Sequence, residues 1–336
     1  WNPFDLKFDR SGRLLLVDND PDARGPNRLL QVVRGGDYGY KSMFGGSGTH
    51  PFQGWDGTLP GTLPFISGTG EAPSGLIDCR RSSFPIDYQQ SVLATIWNEN
   101  TIERFELNPN SGRLESKSVF ITGGQDFRPV ALDCDRNGNL FFTDWVLVDY
   151  PNHGHGRLWR VSANTQTERI KPESYAAPYH GSDQRDQMDR IRVQDGMSLV
   201  RALAGGAFVD PLVRHCAVMR LAGEEMGAAR AKCFEGDASL RMIGLLACKR
   251  VDPNDVHRVT DLLSDPDPEI RRAALMWAAE TLELGLAEKL AQTLDVKPVT
   301  PEVFEAYLAA CEVLTPDFKS AYQSTDKVKA SKIDRT

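Results

Sequence analysis

Asp5-Leu6-Lys7-Phe8-Asp9-Arg10-Ser11-Gly12-Arg13-Leu14-Leu15-Leu16-Val17-Asp18 returns 126 residues later as Ala131-Leu132-Asp133-Cys134-Asp135-Arg136-Asn137-Gly138-Asn139-Leu140-Phe141-Phe142-Thr143-Asp144. Each copy follows a proline, Pro3 or Pro129, and reads as strand, Asp-x-x-Gly turn, strand. A looser third copy lies between them: it opens at Pro73-Ser74-Gly75-Leu76-Ile77-Asp78 and returns through Ser91-Val92-Leu93-Ala94-Thr95-Ile96-Trp97. Another short strand follows each second strand, over 28–33, 102–107 and 157–161. Self-similarity of this kind marks a repeat architecture. Strand-turn-strand-loop-strand units spaced 70 and 56 residues apart are the pattern of β-propeller blades. Three blades do not close a ring, and an open ring leaves strand edges unpaired. Since the chain starts inside a motif at Trp1, the expectation is a partial propeller, the C-terminal blades of a longer one.

The composition is that of ordinary globular material, 40% hydrophobic and 25% charged over 336 residues, with room for about two domains. No apolar run approaches the roughly 18 residues of a membrane span. A formal charge of −7 speaks against nucleic acid as a partner, since phosphate recognition needs a basic face. None of the six cysteines forms a CxxC pair, so a zinc site, a redox dithiol and attached haem find no support. Cys79 and Cys134 occupy near-equivalent places in neighbouring repeats, which leaves a disulfide open. Cys216, Cys233, Cys248 and Cys311 read as small buried hydrophobes in helices.

The β pattern ends near Val161. Residues 162–195 are polar and aperiodic, a linker with room for a short helix, and beyond it the period changes to about 3.6. A second repeat runs there: Asp210-x-x-Val213-Arg214, Asp237-x-x-Leu240-Arg241 and Asp267-x-x-Ile270-Arg271, spaced 27 and 30 residues apart. An Asp at each start caps the first turn of a helix and favours the positive end of its dipole. Leu262–Leu275, with Pro266 and Pro268 at the turn, resembles the core of a HEAT-like repeat. The fold class expected is therefore multidomain β plus α: blades over 1–161, linker 162–195, an α-helical HEAT-like solenoid over 196–315 and a polar tail 316–336.

Asn2-Pro3-Phe4-Asp5-Leu6, the acidic run Asp18-Asn19-Asp20-Pro21-Asp22 and Gly35-Gly36-Asp37-Tyr38-Gly39-Tyr40 occur in an order that resembles the glucose/sorbosone dehydrogenase propellers of the soluble quinoprotein type. The closer resemblance is to planctomycete-type membrane-bound dehydrogenase-like proteins, in which HEAT-like repeats follow the propeller. The resemblance implies three blades of six, a sugar or polyol substrate, an extracytoplasmic location, and oxidoreductase chemistry with a pyrroloquinoline quinone whose catalytic His lies upstream of these residues. It also implies quinone contacts at Asn2 and Arg128. The family's other cationic contacts fall on Trp1, Asn98 and Asp126 here, which speaks against tight binding of the same quinone, because three carboxylates call for Arg and Lys.

The candidate sites each have a plainer alternative. Asp18, Asp20 and Asp22 alternate through one loop, a pattern for calcium, for which the resemblance implies the carbonyls of Asp20 and Pro21; the alternative is a capped, solvated turn. Arg128 either contacts an anion or sugar or forms a structural ion pair. Asp144 and Trp145 either face a sugar site, or the Trp simply packs between repeats. The long insertion 44–70 carries His50, Trp55 and Asp56 as candidate substrate contacts, with Glu71 at its end, or else simply covers an edge. His153-Gly154-His155 offers two imidazoles, too few by themselves for a metal site. A non-catalytic module that binds glycans or a protein through the solenoid is the alternative to the enzyme.

Overall fold

The structure is a computed structural model that describes residues 1–20, 25–163, 181–316 and 318. It divides into two compact units, one of residues 1–20, 26–34 and 65–186, the other of 21–25, 35–64 and 187–336.

The first unit holds three antiparallel sheets, each running in chain order. Sheet I comprises β1 (Asn2–Phe8), β2 (Leu14–Asn19), β3 (Arg28–Val32) and the two-residue β4 (Ser67–Gly68). Sheet II comprises β5 (Pro73–Asp78), β6 (Ser91–Ile96), β7 (Thr101–Leu107) and β8 (Leu114–Thr122). Sheet III has β9 (Pro129–Cys134), β10 (Leu140–Asp144) and β11 (Arg157–Val161). The three sequence copies thus correspond to three sheets, and the likeness extends to register. Pro3 stands opposite Asp18, Pro73 opposite Ile96 and Pro129 opposite Asp144, with an irregularity in the register directly after each pair. A proline has no N–H to give to the ladder, so the start of a strand beside a bulge is where it fits.

The turns repeat as well. The Asp9 carboxylate accepts from the N–H groups of Ser11 and Arg13, both at 2.9 Å. Asp135 accepts from Asn137 at 2.9 Å and Asn139 at 2.8 Å. Gly12 and Gly138 follow with φ of 74° and 76°, a region closed to most side chains. The first strands of the sheets lie side by side, β1 against β5 and β5 against β9. Gly75 permits the second approach, since a Cβ there would stand 2.2 Å from the carbonyl oxygen of Val130. Leu15, Val17, Leu76, Ala94 and Phe105 fill one intersheet core, and Ile77, Leu93, Leu132, Leu140 and Phe142 another.

The second unit is mainly helical. Asp210 caps α1 (Pro211–Leu221), Asp237 caps α2 (Ala238–Val251) and Asp267 caps α3 (Pro268–Thr281), each carboxylate accepting first-turn N–H groups. These three helices pack successively on one another, and α4 (Pro301–Val313), capped by Thr300, packs on α3. The arginine of each motif ties its helix to a neighbouring segment. Arg214 donates to Ser239 Oγ, Arg241 forms a fork on Asp265 at 2.9 and 3.0 Å, and the fully buried Arg271 donates to the carbonyls of Asp265, Pro266 and Pro298. Within the polar stretch 162–195 a helix does form, Asp183–Val193, while residues 164–180 lie outside the described residues.

One boundary differs from the sequence expectation. Residues 35–64, read as part of the β region, belong to the helical unit. Phe44, Phe52 and Leu59 share a core with Leu245, Leu263, Ile270, Trp277 and Val303. Burying three such side chains favours this placement by roughly 1.5–3 kcal/mol each. Lys41 adds a polar clamp, reaching Glu280 of α3 at 2.6 Å and Asp37 at 3.1 Å. Composition alone hides this, because the segment looks like a Gly-rich loop while its sparse aromatic residues do the packing.

Candidate functional site

The strand ends next to the bulges gather the polar and aromatic side chains of the first unit. Asp144 closes β10, buried to 2% exposure, and its carboxylate is saturated. Oδ1 accepts from the N–H of Arg128 at 2.8 Å and of Val146 at 2.9 Å, and Oδ2 from Arg157 Nε at 3.0 Å and the Trp159 indole at 2.9 Å. Burial would raise its pKa, but the Arg128 N–H, the indole, Arg157 and the Val146 N–H outweigh it and hold the carboxyl below its ordinary value. Val146 sits at φ 78°, a strained conformation for a β-branched residue, in the loop that carries Trp145.

Arg128 lies between repeats. Its guanidinium donates to the carbonyl oxygens of Trp97 at 3.1 Å and Asn98 at 3.0 Å, and stands 5.2 Å from the Trp97 ring centroid. Trp97 stacks on Tyr150 at 5.6 Å with the planes 6° apart, and Tyr150 is 82% exposed. His153 packs against Trp145 at 4.8 Å and accepts the N–H of His155 on Nδ1, with the two imidazoles stacked at 5.5 Å.

At the matching end of sheet I, Asp18 accepts from Arg28 at 2.6 Å. Asp20 donates its N–H to Asn27 Oδ1 at 3.1 Å. Pro21 and Asp22 lie outside the described residues. Asn2 is exposed opposite Asn19. Glu71 accepts from the Asn27 side chain at 2.7 Å.

The remaining sequence candidates stand elsewhere. His50, with the rest of 35–64, is in the second unit, 1% exposed, stacked on Phe44 at 4.7 Å and touching Phe52 and Phe318. Its Nδ1 accepts the Phe52 N–H at 3.0 Å. That places the imidazole in a core, where the sequence reading had an entrance. Trp55 lies near Tyr40 at 6.0 Å, and Asp56 is exposed, accepting the Thr58 N–H at 3.2 Å. Cys79 and Cys134 are both free and buried. Burial pushes the Cys134 thiol up to about 12 and the Cys79 thiol up as well, so neither is a thiolate near neutrality.

The donor set does not suit the quinone that the resemblance implies. A tricarboxylate quinone needs available cations, yet Arg28, Arg128 and Arg157 are engaged by Asp18, by two carbonyls and by Asp144. One Asp18 oxygen is taken by Arg28, Pro21 and Asp22 lie outside the described residues, and among the described residues no group of three or more His, Cys, Asp or Glu could hold a metal ion. What the strand ends do offer is aromatic surface beside fixed polar atoms. Sequence reasoning found Arg128 and Asp144 but missed Trp97 and Tyr150; their only signal was an aromatic at a strand end and another in the loop after the third copy.

No family model matches the chain, and no curated protein matches it. Solved structures do. A glucose dehydrogenase is 18% identical with a TM-score of 0.39, covering 48% of this chain and 45% of its own. A putative oxidoreductase (glucose dehydrogenase) of Thermus thermophilus is 18% identical, TM-score 0.36, over 47% of this chain and 44% of its own. The PQQ-bound aldose sugar dehydrogenase of Streptomyces coelicolor is 18% identical, TM-score 0.36, over 47% of this chain and 42% of its own. The chain spans less than half the length of these structures. Among the described residues no helix is long and apolar enough to cross a membrane.

Proposed function

We propose that the three sheets are blades of a propeller of the sugar or polyol dehydrogenase type, and that their strand ends contribute to a carbohydrate-binding face. The observation that carries this reading is the Arg128–Trp97–Tyr150 stack, an exposed flat aromatic surface beside a guanidinium at the ends of bulged first strands. Sugars present apolar C–H faces ringed by hydroxyl groups, and such surfaces suit both. The repeated register and turns of the three sheets support the propeller. The HEAT-like solenoid, a protein partner on its surface and an extracytoplasmic location belong to the same proposal.

A second reading, a propeller that recognises glycans without redox chemistry, is favoured by the engagement of Asp18, Arg128 and Asp144 in internal bonds. One experiment separates the two. Calorimetry with a panel of aldoses and polyols reports binding, and dye reduction with quinone and calcium added reports turnover. Binding with turnover supports the dehydrogenase, binding without turnover supports the second reading, and absence of both removes the carbohydrate face.

A further inference from the structure

An open cleft of about 510 Å3 lies along the flank of sheets II and III, bounded by the end of β8, the turn 123–127 and the outer strand β11. Its floor is aromatic: Phe127 meets Phe142 edge-on at 5.7 Å, and Phe142 stacks with Trp159 at 6.3 Å. Gly123 keeps the floor in place, since a Cβ there would stand 2.2 Å from the Phe127 ring. Trp159 is 42% exposed, yet its indole is fixed from behind by the N–H bond to Asp144 at 2.9 Å. Arg157 shares that carboxylate and holds its guanidinium 5.3 Å from the Trp159 ring centroid. The exposed Asp126 adds a carboxylate to the rim.

A fixed aromatic surface loses little conformational entropy when something docks on it. A charged donor and a charged acceptor at the rim pair poorly with a lipid chain but match the hydroxyl groups that ring an apolar sugar face. We propose that this cleft is an accessory saccharide-binding site, in which the exposed indole of Trp159, held by Asp144 and flanked by the anchored Arg157, receives a pyranose ring while the Asp126 carboxylate takes its hydroxyl groups. The volume is within the range typical of small-molecule sites, about 300–1,000 Å3. The site uses none of the Arg128–Trp97–Tyr150 surface and stands or falls separately from it.

The test is calorimetric titration of the full chain with maltotriose, cellotriose and xylotriose. At least one should bind, and Trp159→Phe and Asp126→Ala should each weaken it about tenfold, roughly the loss of one good contact. Asp126→Ala removes an exposed side chain, so its melting temperature should stay at the wild-type value and separate lost binding from lost folding. The proposal is overturned if no trisaccharide binds the folded protein, or if both cleft variants bind as the wild type does.

Discussion

Arg157 faces Asp144 across β10 and β11 and holds its carboxylate at 2.8 Å, the same cross-strand station from which Arg28 holds Asp18. The repeated unit is therefore longer than the repeated sequence. It includes a proline, a bulge, a buried aspartate and an arginine one strand further out.

This pairing predicts that Asp144→Ala is costly, because it removes an acceptor of four hydrogen bonds and leaves the Arg128 N–H and the Trp159 indole without it. We expect a loss of about 3 kcal/mol in urea unfolding, with Asp18→Ala of the same order. A double-mutant cycle of Asp144 with Arg157 should give a smaller coupling, near 1 kcal/mol, because Arg157 is partly exposed. A loss below about 0.5 kcal/mol for Asp144→Ala would show that the carboxylate is not structural.

Asp78 carries the opposite pH signature. Burial raises its pKa from 3.8 to about 6, against the N–H groups of Arg80 and Arg10 and the Arg80 charge, which favour the anion. An acid that holds its proton more firmly when folded stabilises the protein at low pH, and that contribution is lost as pH rises from about 3.8 through about 6. Asp144, held below its ordinary value, acts in reverse: its contribution is present above the carboxylate range and is lost as pH falls through its depressed pKa. The stability of wild type relative to Asp78→Asn should therefore fall by up to about 3 kcal/mol between roughly pH 4 and pH 7. A difference independent of pH would mean that Asp78 titrates normally.

His50→Ala should destabilise the helical unit by about 2–4 kcal/mol, since it opens a cavity beside Phe44 and Phe52. Saccharide affinity should not change in the protein that remains folded. A thermal melt and a calorimetric titration of the same variant check both parts, and a ligand-affinity change without any loss of stability would return His50 to a binding role.

In the second unit, Asp267→Ala removes acceptors for the N–H groups of Glu269 and Ile270 and should cost about 1 kcal/mol. Arg271→Met, which strips three loop carbonyls of their donor, should cost more, about 2–3 kcal/mol. The order of the two losses in chemical unfolding is the checkable outcome.

The sheets were legible from the sequence because alternation, an opening proline and Asp-x-x-Gly turns all recur, and three helix starts because an aspartate precedes the apolar run of α1, α2 and α3. The assignment of residues 35–64 was not, since which core accepts Phe44, Phe52 and Leu59 is a matter of tertiary packing. The roles of Asp18 and Asp144 were half legible. Sequence places them at equivalent strand ends, but only the cross-strand register reveals that Arg28 and Arg157 take their charge. Trp97 and Tyr150 are 53 residues apart, and nothing local predicts their stacking.

The central claim is that the strand ends bind a sugar or polyol through Trp97, Tyr150 and Arg128. Calorimetric titration of the full chain with an aldose and polyol panel, repeated on Tyr150→Ala, tests it most directly. Tyr150 is exposed and can be removed without opening the core. The account predicts measurable binding of at least one monosaccharide by the wild type and about a tenfold weaker affinity for the variant, at an unchanged melting temperature. Binding of equal strength by both proteins, or by neither, would contradict it.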